Sequence, residues 1–195
     1  MKGNKSAVRL LYTAAIFIAS AVILCAVFAS LLAPYDPSAV SPEEILEHSS
    51  AAHWLGTDAL GRDILSRVIY GARSSVAFAF CSAFCTMALG LSLGMVSGYF
   101  GGLADKSVQC LVALFQGLPG TSLMIAIAAI LPENDFRIII ALTLTSWTGF
   151  SRIVRNEVLR IKGETYMEGI RSIGAGHRYI LRKYIFPNLL PVLIV

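Results

Sequence analysis

The stretch from residue 165 to 187 carries the clearest chemical message in the sequence. Tyr166, Met167, Ile170 and Ile173 fall on the i, i+4, i+7 spacing of one helix face, with Glu168, Arg171 and Ser172 on the other. Gly174-Ala175-Gly176 then breaks the pattern, because glycine supplies the left-handed conformation that ends helices. A second short helix is expected over 177–185, leading into Phe186-Pro187-Asn188. The chemistry is that of contact. An apolar ridge on a short helix suits the groove of a partner protein. It suits equally well a helix lying on lipid headgroups, with its basic residues near anionic lipid.

Other reactive side chains are poorly placed for catalysis or metal binding. Cys25, Cys81, Cys85 and Cys110 each sit inside an apolar run. Cys81 and Cys85 are one helical turn apart, but two thiols with no His or carboxylate nearby make a poor zinc site, and cysteine is commonly buried for packing. His48, His53 and His177 have no ligand spacing, and His48 with His53 offers only weak support for a nickel pair. No metal site or catalytic residue is expected. No Gly-x-x-x-x-Gly-Lys-Ser/Thr loop is present, so no bound nucleotide cofactor is expected either. Gln109 and Gln116 are seven apart and share a helix face. Amides are costly in lipid, so that face should meet protein or a water-filled path, through interhelical hydrogen bonds or substrate contact.

The elements that hold these residues follow from the charges. Of 195 residues, 56% are apolar and 14% charged, against roughly 45–50% and roughly 25% in soluble domains. No Asp, Glu, Lys or Arg occurs in 10–35, 74–104, 107–132 or 138–151, half the chain. A membrane-spanning helix needs about 20 mostly apolar residues. A soluble enzyme, a disordered tail, a collagen-like chain and a secreted disulfide scaffold are excluded. The basic residues flank apolar runs instead of forming a patch, which argues against nucleic-acid binding.

The reading is an all-α, multi-span membrane protein. It has a cytoplasmic tail at 1–9, spans at 10–33, 75–99, 108–131 and 136–154, and an external loop with a short helix at 34–73. A cytoplasmic loop follows at 155–185, and a fifth span starts at 186–195. The first run exceeds the 7–15 residues of a signal-peptide core. Span four reaches full length if Arg137 and Arg152 snorkel at its ends, with Trp147 as an interfacial anchor. Gly117, Pro119 and Gly120 should bend span three. With the N-terminus inside, inner segments hold 12 Lys and Arg and outer segments 4, as the positive-inside rule requires. The apolar run from residue 184 onward has only 12 residues, too few to cross, so a chain lacking at least one span is expected.

Glu168-Gly169-Ile170-Arg171-Ser172-Ile173-Gly174, followed by Phe186-Pro187, resembles the EAA loop of binding-protein-dependent ABC importer permeases. Glu168, Gly174 and Pro187 match that pattern. Gly169 and Ile170 stand where it has alanines, Tyr184 where it has isoleucine and Phe186 where it has leucine. The outer stretch from His53-Trp54-Leu55-Gly56-Thr57-Asp58 through Gly61-Arg62-Asp63 to Tyr70-Gly71-Ala72-Arg73-Ser74 resembles the signature of dipeptide, oligopeptide and nickel permeases, in the shorter-loop subunit of a heterodimeric pair. Gly98-Tyr99-Phe100-Gly101-Gly102 with Asp105, and Ser146-Trp147 through Arg152 with Val154-Arg155, are similar to that family's next turn and fourth span.

The resemblance implies a MetI-like helical bundle, incomplete at its C-terminus, in the bacterial inner membrane. It implies a second permease subunit, two ABC ATPase subunits that carry ATP hydrolysis, and an extracytoplasmic substrate-binding protein. Di- or oligopeptides or nickel would be the cargo. By the same likeness Tyr166, Met167, Glu168, Ile170, Arg171, Ile173 and Gly174 form a coupling helix seated on an ATPase. Gln109 and Gln116 are candidates for the path, and Pro119 for a bend. The alternative is a membrane scaffold whose cytoplasmic loop touches lipid and which transports nothing.

Overall fold

Helix α1, Gly3–Val27, opens a computed structural model that describes residues 3–134 and 136–194. Residues 1 and 2 of the expected tail, and Val195 at the end of the expected fifth span, lie outside the described residues. The helix already runs through most of the expected tail, and its stretch Val8–Val27 is long and apolar enough to cross a membrane. It stops short of residue 33: after Phe28 comes a separate turn, α2, Ala29–Leu32. Pro34, with no N–H and a restrictive effect on its predecessor, prevents further helix.

Helix α3 covers Ile64–Phe100, starting eleven residues before the expected span at 75. At about 1.5 Å per residue it is roughly 55 Å long, well beyond a hydrocarbon core of roughly 30 Å. The extra turns carry Arg67 and Arg73, beyond the uncharged stretch. The chain divides within this helix into two compact units, residues 1–79 and 80–195.

In the first unit the segment between Ala33 and Ile64 folds around polar contacts. Its only helical piece among the described residues is a single 3-10 turn, Pro42–Glu44. Gly61 has φ +71°, and a Cβ there would stand 1.8 Å from the Ser41 carbonyl oxygen, so only glycine fits. The Asp58 carboxylate accepts the Leu60 N–H at 2.8 Å and the Arg62 Nε at 2.9 Å, and also pairs with Arg67. Asp63 caps α3: its Oδ2 accepts the Ser66 N–H at 2.7 Å, while its Oδ1 lies 3.0 Å from His53 Nδ1.

The second unit is a set of packed helices. Helices α4, Gly102–Gln116, and α5, Gly120–Ile130, meet at an angle of 91°. The break falls at Gly117 to Pro119, where proline cannot donate to the preceding turn. Helix α6, Phe136–Lys162, packs on α5 and continues eight residues past the expected end of span four. Among the described residues α1 and α3 pass a test of length and apolarity for crossing, and α4 with α5 pass if taken as one bent span. Helix α6, expected as span four, falls short of that test; it carries both Arg137 and Arg152.

Helix α3 lies against α6 through glycine. A Cβ on Gly90 would come within 3.0 Å of the Trp147 carbonyl oxygen, one on Gly94 within 2.6 Å of Ser151, and one on Gly98 within 2.9 Å of Arg155. Glycine every fourth residue lets two backbones touch, which matters in lipid, where helices gain no hydrophobic drive to associate and depend on close van der Waals contact. Trp147 belongs to this packing. It is 3% exposed among Val108, Val112 and Phe115, its ring edge-on to Phe115, so it is a core residue and not the interfacial anchor expected.

Candidate functional site

After α6 the chain turns at Gly163 and forms α7, Thr165–Ser172, which coincides within one residue with the helix expected from sequence. Glu168 lies in its first turn and Arg171 in its last, the arrangement that complements a helix dipole. Its end is a Schellman motif. Gly174 has φ +82°, the Gly174 N–H donates to the Arg171 carbonyl at 3.0 Å, and the Ala175 N–H to the Ile170 carbonyl at 3.3 Å. Gly174 is thus needed for its backbone: a Cβ would meet nothing within 4 Å, yet L side chains rarely adopt that φ.

The helix has two faces. Met167 is fully buried in a core with Tyr99, Val154, Val158, Ile161 and Ile180, and Ile170 packs on its edge. Met167, expected among the partner-contacting residues, therefore faces inward and fastens α7 to its own chain. Outward stand Glu168 and Arg171, together with Tyr166 and Ile173, the last 83% exposed. Ile173 itself is the C-cap residue just beyond the last helical turn.

Polar ties hold the neighbouring helix ends. Arg160 reaches Glu157 on α6 and Glu164 at the start of α7, which spans the turn between them. Lys162 Nζ donates to the Tyr99 carbonyl at 2.7 Å, satisfying an acceptor at the end of α3. The Tyr99 hydroxyl lies 2.8 Å from His177 Nδ1 at the start of α8, His177–Ile180. Asp105 of α4 receives Arg155 of α6 in two bonds, Nε to Oδ1 at 2.7 Å and NH2 to Oδ2 at 2.6 Å.

Beyond α8 the helix widens into one π turn, Leu181–Ile185, before α9, Phe186–Ile194, where a single α-helix over 177–185 was expected. Pro187 explains it. Proline has no N–H for an i−4 bond, and its ring crowds the carbonyl of Lys183, so the turn opens by one residue. The Phe186 N–H bonds back five residues to Leu181, and Asn188 Nδ2 donates to the Tyr184 carbonyl at 2.6 Å.

The two glutamines turn to neighbouring side chains. Gln109 Nε2 is 3.4 Å from Ser97 Oγ, and Gln116 Nε2 is 3.4 Å from Thr148 Oγ1. Of the two roles open to them, interhelical hydrogen bonding is the one these contacts serve. Pro119 stands at the break between α4 and α5. His53 is buried against Asp63 and Tyr35, apart from the exposed His48. Among the described residues no group of three His, Cys, Asp or Glu side chains could hold a metal ion.

Sequence reasoning missed three features: the Gly90, Gly94, Gly98 ridge, the Asp105–Arg155 pair and the Tyr99–His177 contact. The ridge was available as a small residue at every fourth position. The other two join residues 50 and 78 apart, and no local pattern signals them.

Residues 90–195 match the family described as binding-protein-dependent transport system inner membrane component. The chain belongs to that family. This places it among multi-span helical membrane proteins, as the ordered motifs implied. The chain is 34% identical over 174 residues, 89% of its length, to the oligopeptide transport system permease protein OppC of Bacillus subtilis, covering 57% of that protein. It is 35% identical over its whole length to the dipeptide transport system permease protein DppC of the same organism, covering 59%. It is 36% identical over 175 residues, 89% of its length, to the glutathione transport system permease protein GsiD of Pectobacterium atrosepticum, covering 58%. The chain thus spans somewhat less than three fifths of the length of these relatives of the transport-system family.

Proposed function

We propose that the chain is a permease subunit of an ATP-driven importer and that α7 is the element through which an ATPase moves it. The observation that carries this reading is the two-sidedness of α7: Met167 locked into the core, Tyr166, Glu168, Arg171 and Ile173 presented outward. A push on the outer face is transmitted through Met167 to Val154 and Val158 of α6 and to Leu189 of α9, which share its core. Interiors packed at crystal-like density pass displacement on instead of absorbing it. Closure of an ATPase dimer would thereby rock α6 and α9 and change access to the path.

In this reading α7 is cytoplasmic and the N-terminus is inside, which the excess of Lys and Arg on that side supports. A second permease subunit completes the path, two ATPase subunits hydrolyse ATP, and an extracytoplasmic binding protein delivers cargo. The relatives' names point to peptides as the substrate class, with nickel left without support among them.

The test is co-purification with the cognate ATPase. Glu168→Lys and Ile173→Asp change exposed side chains, so both should fold and lose the ATPase, while an untouched interaction in both would overturn the coupling assignment. Orientation has its own test. In a background where the native cysteines are serine, a cysteine installed at Ser172 should resist a thiol reagent that cannot cross lipid in intact cells. Labelling from outside would invert the topology.

A further inference from the structure

Alongside α8 and the π turn, a cleft of about 940 Å³ opens against α3. Met95, Leu181 and Phe186 form its floor, and Arg178, Arg182 and Lys183 its rim. The apolar floor continues into an adjoining hollow of about 330 Å³ lined by Leu91, Val96 and Phe100 of α3. We propose that this cleft holds one anionic phospholipid, its phosphate among Arg178, Arg182 and Lys183 and an acyl chain laid along Met95 and Phe186.

Two observations support it. The rim cations lack counter-charges: among the described residues Arg178 and Arg182 form no ion pair, and Lys183 donates to the Tyr179 hydroxyl at 2.8 Å, whereas Arg155 and Arg160 nearby are each matched to a carboxylate. Three cations lining one cleft with no carboxylate paired to any of them suit an anion. The second observation is the wall. Val96 and Phe100 are exposed on an apolar helix long enough to span, so the hollow opens where hydrocarbon would be. The cations stand just before apolar α9, so a membrane that takes in α9 would set its headgroups beside them. An acidic protein surface would satisfy the charges but not the apolar floor. The inference needs α3 and α9 to lie in the membrane and does not depend on α7 gripping an ATPase, so either can fail alone.

The test uses the full chain in phosphatidylcholine nanodiscs doped with photoactivatable phosphatidylglycerol or, in parallel, the same label on phosphatidylcholine. Peptide mapping should find Met95, Leu181 or Phe186 labelled roughly fivefold or more by the glycerol lipid over the choline lipid, the scale of one or two headgroup–cation contacts. Arg178→Gln with Arg182→Gln and Lys183→Gln should erase that preference. The exchange Arg178→Lys, Arg182→Lys, Lys183→Arg should keep it, which separates charge from misfolding, and Arg152→Gln should leave it unchanged. Equal labelling by both lipids, or a preference that survives the triple glutamine change, would overturn the proposal. So would protection of the cleft by an added ATPase, which would make the occupant a protein.

Discussion

Arg155 grips Asp105 with both arms of its guanidinium across fifty residues of chain, joining α4 to α6 where each is about four-fifths buried. Planar two-bond pairing of this kind is the strongest arrangement open to these groups, and removing one partner leaves the other charge poorly solvated. Asp105→Asn should therefore destabilise the purified chain by about 2 kcal/mol, the range for hydrogen bonds to charged groups. Thermal unfolding in detergent measures it. The exchange Asp105→Arg with Arg155→Asp should recover part of the loss; no recovery would mean that the surroundings, and not the pair, set the requirement.

Gly94→Leu should separate α3 from α6. Its first added carbon would already lie 2.6 Å from the Ser151 carbonyl oxygen and 2.8 Å from Val154 Cβ, and backbone cannot move aside as a side-chain tip can. Overpacking of this kind costs about 1–3 kcal/mol. A disulfide-trapping pair placed across α3 and α6 should cross-link more slowly in the variant. Gly149→Leu on α6, where a Cβ meets nothing within 4 Å, is the matched control and should behave like the parent.

The glycines of the α7 region should respond with opposite signs. Gly174→Ala forces a side chain into the left-handed region and should lose about 1 kcal/mol. Gly169 is an ordinary helical residue with open space around it, so Gly169→Ala should gain about 0.5–1 kcal/mol. Limited trypsin cleavage after Arg171 reads both, faster in the first and slower in the second.

The polar segment around His53 should be most stable in mildly acidic solution. The hydrogen bond that His53 donates to Asp63 raises its imidazole above the ordinary 6.5, so this contribution is complete below 6.5 and fades as pH climbs through the raised value. Burial pushes the Asp63 carboxyl up, but hydrogen bonds from Ser66 and His53 outweigh it and hold it below 3.8. That contribution is present above 3.8 and fades as pH falls through the lowered value. Hydrogen-exchange protection at residues 53–66, with rates corrected for the intrinsic rise of amide exchange with pH, should be greatest between these limits and lower at pH 8. In His53→Gln the alkaline loss should vanish; its persistence would assign the effect elsewhere.

The helix at 165–172 was legible because three signals agreed there: apolar residues at helical spacing, charged and polar residues on the opposite face, and a terminal glycine. The uncharged runs located α1 and the apolar part of α3 for the same reason. Boundaries were hidden where helix continues past the apolar stretch, as at Ile64 and Lys162, since charged turns obey the same backbone rules as oily ones. Trp147 misled because tryptophan serves equally at a membrane interface and in a core, and only its neighbours decide. Met167 and Ile173 share one apolar stripe, yet the stripe is wider than the buried contact, so one went inside and the other stayed out.

The π turn at Leu181–Ile185 has an evolutionary corollary. A turn that closes five residues back instead of four carries one residue beyond what ordinary helix needs. Deleting a single residue there, with Pro187 replaced so that its ring no longer crowds the carbonyl four back, would tighten it to standard pitch and leave α8 and α9 in their present phase. The same deletion within α6 would swing everything downstream by about 100°, one residue's share of a 3.6-residue turn. Length variation of a single residue among homologous chains should accordingly gather at this one place.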